Sequence, residues 1–174
     1  NFLSSMIGNP FRQVRETLCG KSGILLLAEN TNLHSFAEEG VAVSEWTDKS
    51  WGGYETEVGA GANGTAIGTG AANTQAIVEA YGENEPHAGR SDYPAKLSDD
   101  LGFGGYDDWF LPSRYELTEM YTQREAIGGF APTDAYWSST ESGGLNAWAR
   151  SFGNDNQGYW SKVQTYRVRA ARAF

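Results

Sequence analysis

The spacing of the apolar residues changes at Gly129, and this change constrains the fold more than any other feature of the sequence. Upstream of Gly129, apolar residues recur every three or four positions, which is typical of helices packed on one face. Downstream, they alternate with polar residues, as they do in half-buried strands. Helices followed by a β-rich end are typical of the α+β class. We therefore predict an α+β domain in which helices pack on short antiparallel sheets.

Three helices are predicted upstream of this change. They span 71–81, 92–101 and 114–126. Gly82 and Gly102 provide C-terminal stops for the first two, and Pro94 is tolerated in the first turn of the second. The third begins at an S-x-x-E capping box formed by Ser113 and Glu116. Its apolar stripe is interpreted as core and not as part of a cofactor site.

Short apolar or alternating segments predict six strands. They span 23–27, 41–43, 135–139, 146–152, 157–162 and 165–174. In the fourth segment, alternation places Trp148, Arg150 and Phe152 on a buried face, where Arg150 needs an acidic or carbonyl partner. Ala149 and Ser151 then fall on the exposed face.

The length of 174 residues is enough for one domain with a core and short for two. We expect residues 1–20 to form an N-terminal arm or linker, in which 11–18 is either a short helix or an arm that packs on a neighbouring subunit. Residues 21–174 are expected to form the domain. No apolar run approaches the ~18 residues that a membrane span needs. The lack of an initiator Met and of a signal-peptide pattern predicts a fragment or a processed product.

The net charge of −9 is unevenly distributed along the chain. Residues 150–174 carry five cations against one acid, a charge of +4, so the remainder of the chain carries −13. An acidic body disfavours nucleic-acid binding. We expect Arg167 and Arg172 to pair with acids of the body. A basic end that contacts an anionic ligand is the alternative.

Neither a catalytic site nor a metal site is predicted. Cys19 is the only cysteine and has no histidine near it in sequence, so we interpret it as structural. His34 and His87 lack the spacing of a catalytic or metal-binding set. The acidic pairs 99–100 and 107–108 are assigned to a helix end and to hydrogen bonds with loop backbone. A structural calcium ion in a loop stays open as an alternative.

A long Gly-rich stretch contains a match to G-x-G-x-x-G at 59–64. In nucleotide-binding folds this motif follows a buried strand directly and opens a helix. Here the preceding segment is a poor buried strand, and the next helix begins only near residue 71. We interpret the match as chance and predict no nucleotide cofactor.

Four motifs in a fixed order resemble the collagen-like adhesin C-terminal (Lcl-C) domain family. They are GYDDWFLPSRYEL, IGGFA, YWSSTE followed by AW, and RVRAARAF. An earlier segment, AIGTGAANTQAIVEA, is similar to a helix of the same family, and the similarity covers about residues 20–174. The resemblance implies a C-type-lectin-like fold, related to that of formylglycine-generating enzymes, whose C-terminal cysteines this chain lacks. Similar domains are the variable proteins of diversity-generating retroelements.

In such variable proteins a C-terminal region, here about 136–174, is rewritten at selected codons within a constant frame. The resemblance implies the following frame positions: Tyr136, Trp137, Ser138, Ser139, Ala147, Trp148, Phe152, Lys162, Arg167, Val168, Arg169, Arg172 and Phe174. It implies that ligand is bound at the following variable-type positions: Ser142, Leu145, Ala149, Ser151, Asp155, Tyr159, Trp160, Ser161, Val163, Gln164 and Tyr166. Asparagine codons rewritten at their adenines do not yield Trp, so Trp160 departs from the pattern.

The variable-type positions are expected to lie at the surface. Seven are expected to share one exposed face: Ala149, Ser151, Asp155, Tyr159, Trp160, Gln164 and Tyr166. Exposed Tyr159 and Trp160 are the aromatic residues that a partner would cover. Packing of Trp160 back onto the domain is the alternative.

The resemblance thus implies a ligand-binding display module with a role in receptor binding or adhesion. The expected partner is an extracellular protein or glycan, and the expected location is a virion tail or fibre, or a bacterial or archaeal cell surface. Self-association as a trimer is expected, with no nucleic acid, membrane insertion, enzymatic activity or cofactor. The alternatives are a fixed adhesin that binds an anionic polysaccharide and a non-binding cap that trimerises a longer stalk.

Overall fold

A computed structural model describes residues 15–19, 24–28, 45–82 and 89–173, with side chains in the last two ranges. The predicted strand at 41–43 lies outside these residues, and so does most of the 1–20 segment. The described helices are α1 (Gly70–Gly82), α2 (Pro94–Asp99), α3 (Arg114–Thr122) and α4 (Arg124–Ile127). All three predicted helices are confirmed, although the third is interrupted at Gln123 and continues as α4.

The described strands form two sheets. They are β1 (Arg15–Cys19), β2 (Ile24–Ala28), β3 (Glu45–Ser50), β4 (Ala135–Glu141), β5 (Asn146–Ser151), β6 (Gln157–Ser161), β7 (Thr165–Arg169) and β8 (Arg172–Ala173). One sheet has the order β1-β2-β8, and the other has the order β3-β7-β4-β5-β6. Helices beside these sheets confirm the α+β class.

Three predictions about the strands are wrong in detail. Arg15–Cys19 is a strand paired with β2 and not part of a helix. The run 165–174 is two strands in different sheets, since Ala171 pairs with Phe110 between them. The larger sheet is mixed, because β7 runs parallel to β4 at Tyr136 and Arg167. Local alternation predicts a strand but does not specify its partner.

The five-stranded sheet has a hydrophobic cluster on each face. Tyr136 and Trp137 are both fully buried, and consecutive strand residues point to opposite faces. Trp137 packs in a cluster with Trp51 and with Ile77 of α1. Tyr136 packs in the other cluster with residues of α3 and α4. The central strands are therefore covered on both sides, while β6 lies at one edge of the sheet.

The capping box at the start of α3 is confirmed, and its two side chains also bind backbone groups outside the helix. The Ser113 hydroxyl accepts from the Glu116 amide and donates to the Ala66 carbonyl at 2.9 Å. The Glu116 carboxylate accepts from the amides of Ser113 and Gly68, each at 2.7 Å. Both side chains are buried. The cap therefore also anchors the Gly-rich segment that precedes α1.

We predict that Ser113→Ala lowers the free energy of unfolding by about 2 kcal/mol, at the upper end of the range for a helix cap. The loss exceeds that of an ordinary cap because the buried Ser113 hydroxyl also donates to the Ala66 carbonyl, and this hydrogen bond is lost with the cap. Urea titration measures it. Thr122→Ala removes an exposed hydroxyl at the other end of α3 and serves as the control, with an expected change within ~0.5 kcal/mol. Equal losses in the two variants would contradict the role of the cap.

Candidate ligand-binding surface

A buried ion pair supports the C-terminal strands from inside. The Lys162 ammonium lies 2.6 Å from the Glu141 carboxylate, and both side chains are at most 1% exposed. Lys162 also donates to the Thr56 carbonyl at 2.8 Å and lies over the Trp51 ring. Burial lowers the pKa of Lys162, and the hydrogen bond with Glu141 opposes that shift. The pair joins the turn after β6 to the end of β4.

The same carboxylate occupies the amides of the Gly-rich motif. Glu141 accepts from the Val58 amide at 3.0 Å and from the Gly59 amide at 2.8 Å. Residues 59–61 form a single 3-10 turn and not the opening of a long helix. Within the motif, the Gly59 amide is therefore occupied by a carboxylate of the protein itself, and the Gly64 amide donates to the Asn73 side chain at 3.2 Å.

We predict that Lys162→Met costs about 3–5 kcal/mol of unfolding free energy, because it leaves the Glu141 charge buried without its cation. The matched control is Lys96→Met, which breaks the surface pair between Lys96 and Asp100. That change is expected to cost at most ~1 kcal/mol. Both variants are measured by denaturant titration, and a loss at Lys162 as small as that at Lys96 would contradict the prediction.

The β5–β6 hairpin presents two faces of different character. Trp148 pairs with Tyr159, and Ala147 pairs with Trp160, so the two aromatic residues of β6 point to opposite faces. Ala147 and Trp160 face the cluster around Trp137. Trp148 and Tyr159 lie on the side of α3, where Gln157 contacts Thr118 at 2.9 Å. The variable-type positions therefore do not share one face, and that expectation is wrong.

On the α3 side, an arginine and two aromatic residues form a stacked group. The Arg114 guanidinium lies 3.6 Å from the Trp148 ring centre. The Tyr159 ring meets Trp148 edge-on at 5.7 Å between ring centres and is 61% exposed. Arg114 also donates to the Gln157 side chain at 3.2 Å. Trp148 is half-buried under Arg114 and does not lie in the core, contrary to the prediction.

The turns at one end of the sheet carry exposed apolar side chains. Leu145 is 48% exposed and Val163 is 57% exposed. They are neighbours, because the Lys162 amide donates to the Leu145 carbonyl at 2.9 Å. We call these two side chains, together with the exposed side chain of Tyr159 in β6, the apolar tip. It therefore draws on the turn after β4, on β6 and on the turn after β6.

The remaining variable-type positions differ in burial. Ala149 is 1% exposed, so the expectation of exposure is wrong there. Its strand lies between β4 and β6, and a small side chain fits beneath the large aromatic residues of the Trp137 cluster. The half-buried positions are Ser142, Ser151, Trp160, Ser161 and Tyr166. Asp155 and Gln164 are exposed.

Trp160 packs back onto the domain, which was the alternative to an exposed position. Its ring lies next to Gly158, where an added Cβ would meet it at 3.4 Å. It also meets Tyr166 edge-on at 6.0 Å between ring centres. Tyr166 in turn packs on Trp137 at 4.7 Å. These contacts leave Tyr159 as the most exposed aromatic residue of the region.

An open cleft of about 630 Å³ lies where β3 and β7 meet the start of β4. Its lining consists of Thr47, Asp48, Thr133, Asp134, Ala135, Ser151, Thr165, Tyr166 and Arg167. Two of the variable-type positions, Ser151 and Tyr166, line this cleft.

Ion pairs of Arg167 form one side of the cleft. Arg167 donates to Asp134 and, at 2.8 Å, to Glu45. Glu45 also accepts from the Tyr136 hydroxyl at 2.9 Å and lies 3.4 Å from Arg169. Hydrogen bonds to Arg167 lower the pKa of Asp134, and the same contact raises the pKa of Arg167.

All five cations predicted at the basic C-terminal end are paired with acids. Besides Lys162, Arg167 and Arg169, Arg150 pairs with Asp155 and Arg172 pairs with Asp108. The predicted pairing of Arg167 and Arg172 is confirmed, and Arg150 has the acidic partner that its position requires. Asp108 binds this arginine side chain, where the sequence predicted a bond to loop backbone. Because these charges are matched internally, the local excess of +4 does not form a free basic patch.

We predict that, in Asp134→Asn, the free energy of unfolding falls less than in the wild type when the pH is lowered. The pKa of Asp134 is lowered in the folded state, so the unfolded chain binds more protons as the pH falls. The contribution of this carboxylate is complete at neutral pH and is lost below about pH 4. Urea midpoints at about pH 6 and pH 3 measure the effect, with Asp92→Asn as the surface control. A midpoint that falls as far in Asp134→Asn as in the wild type would contradict the prediction.

The catalytic and metal candidates gain no support from the described side chains. Among the residues whose side chains are described, no group of three or more His, Cys, Asp or Glu residues is placed to hold a metal ion. His34 and His87 lie outside the described residues. Lys96 pairs with Asp99 and Asp100 at the end of α2, as expected for a solvated helix end. In the same described part, no helix is both long enough and apolar enough to cross a membrane.

Comparisons with known proteins identify a shared fold. No family model matches the sequence, and no curated protein matches it. The fold is similar to part of a crystal structure of a fimbrial protein from Bacteroides ovatus ATCC 8483, with a TM-score of 0.55 and 14% sequence identity. The match covers 98% of this chain and 40% of that chain. At this identity the similarity extends to the fold and not to activity.

Proposed function

We propose that this chain is a ligand-binding display module on a cell surface, with the turns and edge strand of its C-terminal region as the binding face. The supporting observation is the separation of frame and variable-type positions by burial. Most frame positions are buried, and among them are Tyr136, Phe152 and Lys162. The apolar tip, in contrast, is exposed at Leu145, Tyr159 and Val163. Side chains at the tip can change without disturbing the core.

Tyr159 gives the apolar tip an aromatic residue of a type that often dominates binding energy at interfaces, and the Trp148 and Arg114 side chains beside it are of such types as well. Tyr159, Trp148 and Arg114 are already stacked on one another, so little side-chain freedom is lost when a partner covers them. The partner in this proposal is an extracellular protein or glycan receptor. Multivalent display as a trimer would raise avidity without new contacts.

The similarity to a fimbrial protein supports a surface location and favours a cellular appendage over a virion. A fixed adhesin that binds an anionic polysaccharide has less support, because the cations of residues 150–174 are paired with acids. A display module of C-type-lectin-like fold, in the Lcl-C family, remains the proposal that accounts for the four sequence motifs.

Within this proposal, the chain is a variable protein of a diversity-generating retroelement. Codons for Trp and Gln cannot arise from an asparagine codon by changes at its adenines, so Trp160 and Gln164 belong to the fixed part. Every other variable-type residue can arise in this way. The packing of Trp160 against Tyr166 fits a fixed position. Ala149 is the exception on structural grounds, because a larger residue there would disturb the core.

Sequencing of the gene and its surroundings tests this assignment. A reverse-transcriptase gene and a near-identical non-coding repeat are expected beside the coding sequence. Deep sequencing of the C-terminal codons in a growing culture should then find substitutions at the codon positions that align with adenines of the non-coding repeat. A locus without reverse transcriptase and repeat would contradict the assignment to a retroelement, while an upstream collagen-like repeat would favour a fixed adhesin.

A pair of variants tests the binding face. The triple variant Leu145→Asp, Tyr159→Ala and Val163→Asp is expected to melt within a few degrees of the wild type, since surface substitutions change stability little. It is expected to lose binding of the labelled chain to intact cells in a panel of bacterial and epithelial types. Phe152→Ala should instead cost about 3–5 kcal/mol, because Phe152 is 4% exposed and packs on Tyr136.

Two results would contradict the proposal. One is a wild-type chain that binds none of the cells in the panel. The other is a triple variant that binds them as well as the wild type does. Unfolding of the triple variant to the same extent as Phe152→Ala would show that the apolar tip is structural.

A further inference from the structure

We propose that the cleft between β3, β7 and the start of β4 binds a neutral glycan of one or two sugar units. This inference rests on the proposed binding function and adds the ligand class for a second part of the same C-terminal region. The volume of about 630 Å³ lies within the range of small-molecule sites. The cleft is separate from the apolar tip, because its lining includes none of Leu145, Tyr159 and Val163.

The lining offers the hydrogen-bonding groups that a polyhydroxy ligand requires. Hydroxyl groups come from Thr47, Thr133, Ser151 and Thr165. Each hydroxyl both donates and accepts, so it can match a sugar hydroxyl in either sense. The carboxylates of Asp48 and Asp134 add strong acceptors, and Arg167 adds donors. An apolar ligand would remove water from these groups without offering hydrogen bonds in its place, whereas a sugar offers both donors and acceptors.

The charge of the cleft disfavours an anionic ligand. Arg167 is the only cation in the lining, and it already forms ion pairs with Asp134 and Glu45. Asp48 adds a further negative charge on the opposite wall. The lining thus carries two carboxylates against one guanidinium, a formal charge of −1, which disfavours carboxylate, sulfate or phosphate groups on a ligand. A glycan without such groups carries no charge to be repelled.

Tyr166 is the aromatic residue of the cleft lining, and its ring is held in place. Its ring packs on Trp137 at 4.7 Å and meets Trp160 edge-on at 6.0 Å between ring centres. An aromatic side chain combines apolar surface with a polar tip, and the C–H face of a sugar ring can pack on that surface. Because the two tryptophans fix the ring, binding does not need to order it.

A bulge in β3 determines how Thr47 and Asp48 line the cleft. The pairing of β3 with β7 shifts in register between Trp46 and Lys49. Asp48 lies in this bulge with a φ of 54°, in the left-handed region that Asp tolerates better than most residues. A bulge turns side chains away from the regular strand direction. It leaves Thr47 and Asp48 exposed at the cleft.

The proposed site is lined both by a frame position and by variable-type positions. The pair of Arg167 and Asp134 is held by Glu45 beneath it, and Arg167 is a frame position. Ser151 and Tyr166 are variable-type positions on the walls. Rewriting these two residues would change which sugar fits while the ion pair persists.

Saturation-transfer NMR on the whole chain tests the proposal. The neutral probes are galactose, mannose, fucose, N-acetylglucosamine and lactose, and the anionic probes are glucuronic acid and N-acetylneuraminic acid. At least one neutral probe is expected to bind with a millimolar Kd, and the anionic probes are expected to bind at least tenfold more weakly. Thr165→Trp, which fills the cleft, and Asp134→Ala, which removes an acceptor, are each expected to weaken binding at least tenfold.

The Val163→Asp variant is the control, because it alters the apolar tip and leaves the cleft intact. Its sugar affinity should equal that of the wild type. Absence of binding by every neutral probe would overturn the proposal, and so would binding that Thr165→Trp leaves unchanged or a preference for the anionic probes. If the sugars fail while binding to cells persists and depends on the apolar tip, the glycan cleft is wrong and the proposed function stands.

Discussion

The buried pair of Lys162 and Glu141 is the interaction on which the C-terminal half depends. Two charges that are almost fully removed from water are tolerable only because each has further partners. Glu141 receives two backbone amides from the Gly-rich segment, and Lys162 donates to the Thr56 carbonyl. The pair thereby ties the turn after β6 to the end of β4 and to residues 56–59. These hydrogen bonds fix the position of residues 56–59, which have little regular secondary structure of their own.

The sheet with two covered faces explains where side chains are free to vary. Its central strands place Tyr136 in one cluster and Trp137 in the other, so substitution there would open a cavity or cause overpacking. Tyr159 belongs to β6 at the edge of the sheet, while Leu145 and Val163 lie in the turns after β4 and β6. Their exposure follows from these positions and not from their chemical type.

Charge pairing gives the C-terminal region two surfaces with different chemistry. Cations that looked available in the sequence are matched by Glu45, Asp108, Asp134, Glu141 and Asp155. The apolar tip is left to offer aromatic and aliphatic contacts. The cleft beside Asp134 offers hydroxyl groups, carboxylates and one aromatic wall. A receptor that carries glycans could engage both surfaces, with the polypeptide at the tip and a sugar in the cleft.

The sequence by itself determined the class of the fold and most of its elements. Helix periodicity, the capping box at Ser113 and the alternation after Gly129 depend on neighbours a few positions apart, and all three are confirmed in the structure. The pairing of Arg167 and Arg172 with acids was also predictable, because a charge near a core requires a partner. The acids that fill this role were not predictable, since Arg172 and Asp108 lie far apart in the chain.

Only the tertiary structure decided which strands pair and which side chains are exposed. Alternation in 165–174 predicts extended chain, yet β7 and β8 enter different sheets because their partners come from distant segments. Ala149 is buried because its side chain faces the cluster around Trp137, and Trp160 packs inward because Tyr166 provides a surface for it. Ser151 and Tyr166 meet at one cleft for the same reason. Which strands pair and which side chains meet depends on the free energy of the whole packed chain, and a local sequence pattern does not determine that free energy.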